Sequence, residues 1–102
     1  MINKNQAIDE AIRILKTGWC KEFSAKDSYD KQISCLDSKA VKFCAIGALE
    51  RAFVNLDEDF DYDDGEKIKS FIREKMGGSI SHFNDGSESV EVVIKALKSA
   101  KD

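Results

Sequence analysis

Proline is missing altogether from this 102-residue chain, and tryptophan and histidine occur once each. Its absence removes one common marker of linkers, and no internal repeat or low-complexity stretch divides the chain. No stretch approaches the roughly 20 consecutive apolar residues that a membrane span requires. The opening Met1-Ile2-Asn3-Lys4-Asn5-Gln6 leads straight into an amphipathic pattern without the apolar core of a signal peptide, which predicts a cytoplasmic protein. Cysteine is scarce and odd in number, with Cys20, Cys35 and Cys44 only. Reduced thiols are expected, not a disulfide framework. A basic excess is lacking as well, since the net charge is -3 and the pI about 5.2. That balance argues against direct binding of DNA or RNA.

What is present suffices for one folded domain spanning 1–102, with 42% hydrophobic residues and nine aromatics. The first helix is read from about Lys4 to Thr17, with Ile8, Ala11, Ile12 and Leu15 at the spacing of one face. Gly18 is expected to close it in a left-handed conformation. Residues 18–38 scatter Trp19, Phe23, Tyr29, Ile33 and Leu36 among charges without a helical period. They read as a long loop that holds at most a short strand pair, its aromatics anchoring it to the core.

The apolar run Phe43-Cys44-Ala45-Ile46-Gly47-Ala48-Leu49 reads as the middle of a buried second helix, from Lys39 to about Val54, with Ser38 as its N-cap. Glycine costs roughly 1 kcal/mol relative to alanine inside a helix. Gly47 therefore implies that another backbone or an aromatic ring packs close, and Trp19 is a candidate for that space. A third helix is expected from Gly65 to about Met76, capped by Asp63 or Asp64 and ended by Gly77-Gly78. A single helical turn follows at Ser79–Phe83, closed by a turn at Asn84-Asp85-Gly86. The last helix, from about Glu88 to Ala100, takes Ser87 or Ser89 as its cap. The expected fold is all-α, a compact four-helix single domain with a long loop at about 18–38.

Negative charge is concentrated in one place. Asp57, Glu58, Asp59, Asp61, Asp63, Asp64 and Glu66 carry -7 within ten residues, leaving +4 on the remainder. A calcium loop would need glycine at its sixth position and a bidentate glutamate at its twelfth. With Asp59, Asp61 and Asp63 at positions one, three and five, those places fall on Asp64 and Ser70. No metal or cofactor is expected. The sharper reading is an acidic patch, Asp57, Asp59, Phe60, Asp61, Tyr62 and Asp63, that docks on a basic protein surface.

Cys20, Cys35, Cys44 and His82 could supply a Cys3His zinc site, but no Cys-x-x-Cys knuckle occurs among them. Cys20 or Cys44 with His82 and Asn84 or Asp85 offers the residue types of a nucleophilic site, although nothing local enforces its geometry. Packing is the simpler reading of each.

Taken together, Gly18-Trp19-Cys20, Cys44-Ala45-Ile46-Gly47-Ala48-Leu49 with Ala52, and Ser79 to Asp85 resemble a family of short uncharacterised proteins of bacteria and their phages. The family pattern is Gly-Trp-Cys, then Cys-Ala-Leu-Gly-Ala-Leu, then Trp-Asn-Asp before a final helix. Phe83 stands here where the pattern has tryptophan, and His82 falls on a position the pattern does not specify. The resemblance implies no activity. It directs attention to Trp19, Cys20, Cys44, Gly47, Asn84 and Asp85.

Two functions follow as expectations. The first is a small, non-enzymatic protein-interaction module, consistent with a phage-borne accessory or inhibitor protein, that binds its partner through segment 57–66. The alternative is a small-molecule-binding protein or enzyme with a pocket at Trp19, Cys20, Cys44, Phe83, Asn84 and Asp85.

Overall fold

A computed structural model describes residues 2–102. The first helix, α1 (Lys4–Thr17), has the bounds its periodicity predicts. Asn3 caps it by accepting from the Gln6 amide at 2.8 Å, while Gln6 reaches back to the Asn3 amide at 2.9 Å. This reciprocal pair satisfies two donors that the first turn would otherwise leave open. Ala7, Ile8, Ala11, Ile12, Ile14 and Leu15 are buried, and α1 packs chiefly on α2 (Ala45–Leu56), then on α5 (Val90–Ser99).

Gly18 departs from expectation, since its φ of 175° is extended and not left-handed. Its lack of a side chain serves proximity instead. A Cβ at Gly18 would stand 2.2 Å from the Val41 carbonyl oxygen.

The loop at 18–38 is not structureless. Its short strand β1 (Ala25–Lys26) pairs antiparallel with β2 (Lys42–Phe43), Ala25 opposite Phe43. Trp19 bridges Phe43 in the parallel sense. The strand partner thus lies beyond the loop, and an isolated bridge from Lys26 to Gln32 is the pairing within it.

That pairing overturns the predicted start of the second helix. The Val41 amide donates to the Lys26 carbonyl at 2.9 Å and the Phe43 amide to the Gly18 carbonyl at 3.0 Å. With those donors committed elsewhere, Ser38 and Lys39 form a turn, Lys42–Phe43 a strand, and α2 begins at Ala45. Ser38 caps nothing there, because Asp37 closes a local turn by accepting from the Lys39 amide at 2.8 Å. Cys44 becomes the N-cap, its Sγ accepting from the Gly47 amide at 3.4 Å. The apolar run is therefore a strand, a cap and the first turns of a helix.

The third helix, α3 (Tyr62–Met76), starts earlier than expected and is capped by Asp61, not Asp63 or Asp64. Asp63 and Asp64 instead occupy the first turn, where negative charge favours the helix dipole. Gly77, at φ 80°, ends α3 as predicted. The expected single turn is a seven-residue helix, α4 (Ile80–Gly86), capped by Ser79 and including Asn84-Asp85-Gly86, which raises the helix count from four to five. Ser89 sits at the N-cap of α5 without a side-chain bond. Ser87 is buried and donates to the Phe83 carbonyl at 2.7 Å.

The result is a mostly helical, compact single domain with one small two-stranded sheet. Among the described residues, no helix is long and apolar enough to cross a membrane.

Candidate functional site

Asn84 holds together the residues that the motif pattern singles out. It is fully buried, on the short helix α4. Its Oδ1 accepts from the Trp19 indole at 2.8 Å and from the Ala45 amide at 2.9 Å. Its Nδ2 donates to the Cys20 carbonyl at 3.1 Å and to Asp85 Oδ1 at 3.1 Å. Two donors face the carbonyl end and two acceptors face the amino end, so all four positions of the amide are used. Asp85 accepts the Glu22 amide as well, at 2.9 Å, and Glu22 has a φ of 75°, uncommon for a residue with a side chain.

Cys44 and Gly47 complete this knot. The Cys44 amide donates to the Ser24 carbonyl at 3.2 Å. A Cβ at Gly47 would lie 1.9 Å from the Ser24 oxygen. The neighbour implied by Gly47 is thus the loop backbone, and Trp19 points instead to Asn84. Trp19, Cys20, Cys44, Asn84 and Asp85 come together here, whereas Phe83 is half-buried and adjoins Asn84 in the chain. Their polar groups bond one another and the backbone, binding α4 and the 18–24 loop to the N-terminus of α2.

The thiols here are poorly suited to nucleophilic work. Burial pushes Cys20 up from an ordinary value near 9.0 to about 11, helped by the proximity of Cys44. Burial raises Cys44 too, against the opposing pull of the Gly47 amide. At neutral pH both are thiols, whereas the nucleophile and the metal ligand is the thiolate. His82 is exposed. Among the described residues no three His, Cys, Asp or Glu side chains converge as metal ligands.

A second place is concave. Between α2 and α3 lies a groove of about 190 Å³ with a mostly apolar lining. Phe53, Phe60 and Gly65 form its inner part, the two rings 4.8 Å apart and tilted by 31°. A Cβ on Gly65 would stand 3.1 Å from both rings, so this glycine lets α3 approach them. Leu36, Val54 and Tyr62 line it from more open positions, exposed by 53%, 40% and 74%.

The polar end is formed by Glu50 and Lys69. Lys69 is only 7% exposed and donates to Glu50 at 3.1 Å and to Glu66 at 2.7 Å. Burial opposes its charge, but the hydrogen bonds to Glu66 and Glu50 outweigh that penalty and leave its pKa raised. Cys35 Sγ, beneath, lies 3.6 Å from Glu50 Oε2. Burial and the Glu50 charge push that thiol to about 11.

Arg51 positions the loop side of the groove. Its Nη1 donates to the carbonyls of Cys35 and Asp37, each at 3.0 Å, which straddle Leu36. The groove borders the acidic segment, contributing Phe60 and Tyr62 to its lining. Asp57, Glu58, Asp59, Asp61, Asp63 and Asp64 form no ion pair among the described residues, in contrast to Glu66. Two of these acids have local duties. Asp57 accepts from the Asp59 amide at 3.1 Å and Asp61 from the Asp63 amide at 2.8 Å.

Of the groove residues, Phe60 and Tyr62 are the two that the sequence marks as candidates, and Leu36, Glu50, Phe53, Val54, Gly65 and Lys69 are not. Lys69 carried a legible signal, because it sits one turn from Gly65 and Ile72 on the inward face of α3, where a lysine needs a partner. Leu36 carried none, since its place depends on Arg51, fifteen residues further along.

No curated protein and no solved structure matches this chain. A family model does match, over residues 3–102. The protein belongs to the family of unknown function DUF6197.

Proposed function

We propose that this protein is a small interaction module, of a kind carried by bacteria and their phages, that binds a protein with a basic surface through segment 57–66. The observation that carries the reading is the adjacency of an apolar groove and acids that form no ion pair among the described residues. Phe60 and Tyr62 belong to both. Charge complementarity speeds encounter and selects the partner, while apolar burial supplies most of the affinity.

The alternative reading, a ligand pocket at Trp19, Cys44 and Asn84, has less support. Asn84 has no exposed surface and no spare hydrogen-bonding position. Drug-sized ligands occupy clefts with a few polar groups turned toward the opening. The knot turns the Asn84 amide and the Trp19 indole N–H inward, toward each other.

The test is a capture experiment with the variant Asp57→Asn, Asp59→Asn, Asp61→Asn, Asp63→Asn. Asparagine caps helices and turns as aspartate does, so folding is preserved while charge is removed. A basic protein held by the wild type, and cross-linked to residues 57–66, should be lost by the variant. Undiminished capture of that protein would sink the proposal.

A further inference from the structure

The groove beside the acidic segment is a concave apolar surface whose surroundings state a chemistry for its occupant. We infer that it receives a single bulky apolar side chain carried on a basic segment of the partner, while the acids of 57–66 take the flanking cations. This inference rests on the function proposed above and names the partner's recognition element.

Size argues first. A volume of about 190 Å³ falls below the roughly 300–1,000 Å³ of clefts that enclose drug-sized ligands. One large side chain suits it better. The lining argues next. Phe53, Phe60, Val54 and Leu36 offer apolar contact, and the charges at the far end are already satisfied, because Lys69 bonds both Glu50 and Glu66. Nothing inside the groove calls for an ion.

Outside it the reverse holds, with six carboxylates in segment 57–66 lacking a cationic partner among the described residues. Nucleic acid and anionic lipid surfaces would be repelled there. A second copy of this chain, docked symmetrically, would bring the same acids face to face. A basic segment alone satisfies both halves of the surface. The groove is also held ready before binding, since Arg51 fixes the backbone on either side of Leu36, and preorganisation lowers the cost of association.

The experiment uses the intact chain and fluorescence anisotropy with labelled synthetic peptides. One is an arginine- and lysine-rich peptide with a single central leucine; the second has alanine in its place; the third keeps the leucine among uncharged residues. The leucine-to-alanine change should weaken binding about ten- to a hundredfold. High salt should weaken the basic leucine peptide, because screening shortens to about 3 Å at 1 M.

On the protein side, Val54→Asp adds a charge of the favourable sign but places it at the groove. Binding should nevertheless fall. Val54 is 40% exposed, so circular dichroism should show an intact helical fold, and Leu36→Asp provides a second variant should it not. Equal affinity for the leucine and alanine peptides, or undiminished binding by a folded groove variant, overturns the apolar anchor while leaving acidic docking in place. Equal affinity for the uncharged leucine peptide overturns the role given to the rim. Failure of both basic peptides to bind at low salt overturns this inference, whereas the capture experiment above judges acidic docking on its own.

Discussion

Asn84 and Lys69 are both buried polar residues, yet their surroundings differ in kind. Asn84 is bound to an indole, a backbone amide, a backbone carbonyl and an adjacent carboxylate. Lys69 is bound to two carboxylates whose side chains are 40% and 38% exposed. The indole, the amide and the carbonyl of the first set cannot turn to water without dismantling three segments of chain. The second can. The contrast separates the residues that build the domain from those available to meet another molecule, and the motif residues fall on the building side.

The sharpest way to break that contrast is Asn84→Ala. It strands the Trp19 indole, the Ala45 amide and the Cys20 carbonyl, each costing about 1–3 kcal/mol when left buried and unpaired. A loss of roughly 3–5 kcal/mol is expected in urea unfolding, enough to abolish the fold of a marginally stable domain. Near-wild-type stability would remove the knot from the centre of the architecture.

Gly47→Ala comes next. The added methyl meets a backbone oxygen, so the 18–24 loop must shift, at about 2 kcal/mol after the gain in helix propensity is counted. The expected signature is a lowered urea midpoint with altered Trp19 fluorescence.

The thiols sharpen the comparison through pH. Cys20 and Cys35 have folded values raised from near 9.0 to about 11. Between those limits the unfolded chain has released protons that the folded one retains, so stability falls as pH rises from about 9 to 11. Lys69, also raised, adds to the loss at the upper end, as its unfolded form deprotonates first. Thermal melts across this range should slide downward, and Cys20→Ser should flatten the slope. A melting temperature independent of pH would contradict the burial of these thiols.

Lys69→Met should cost least among the buried positions, about 1 kcal/mol or less, because Glu50 and Glu66 can recover hydration at their exposed sides. Smallest of all is Val54→Ser, expected within about 0.5 kcal/mol of wild type in the same unfolding assay. A large loss at either position would mean that the groove is also structural, and would dissolve the distinction between the two regions.

Much of the helical content is legible in the residues. The period of Ile8, Ala11, Ile12 and Leu15 marks α1, and Gly77 marks the end of α3. The start of α2 is not legible, because Val41, Cys44 and Ala45 keep a helical period through a stretch whose amides are committed to Gly18, Ser24 and Lys26. Periodicity registers which side chains are apolar and says nothing of where the amides go. The knot was legible as a set of names. Its wiring was not, because Trp19 and Asn84 stand 65 residues apart.

By itself, then, the chain's order of residues determined a mostly helical domain, the seat of its negative charge, and the short roster of motif positions. Those properties are local, arising from side-chain period, backbone preference and composition. Tertiary structure alone decided that Cys44 caps a helix instead of lying within one, that Gly47 yields to a carbonyl, and that Leu36, Val54 and Lys69 share a groove with Phe60 and Tyr62. Such outcomes depend on which distant segments compete for the same hydrogen bonds and the same volume, a contest that is settled only when the whole chain has packed.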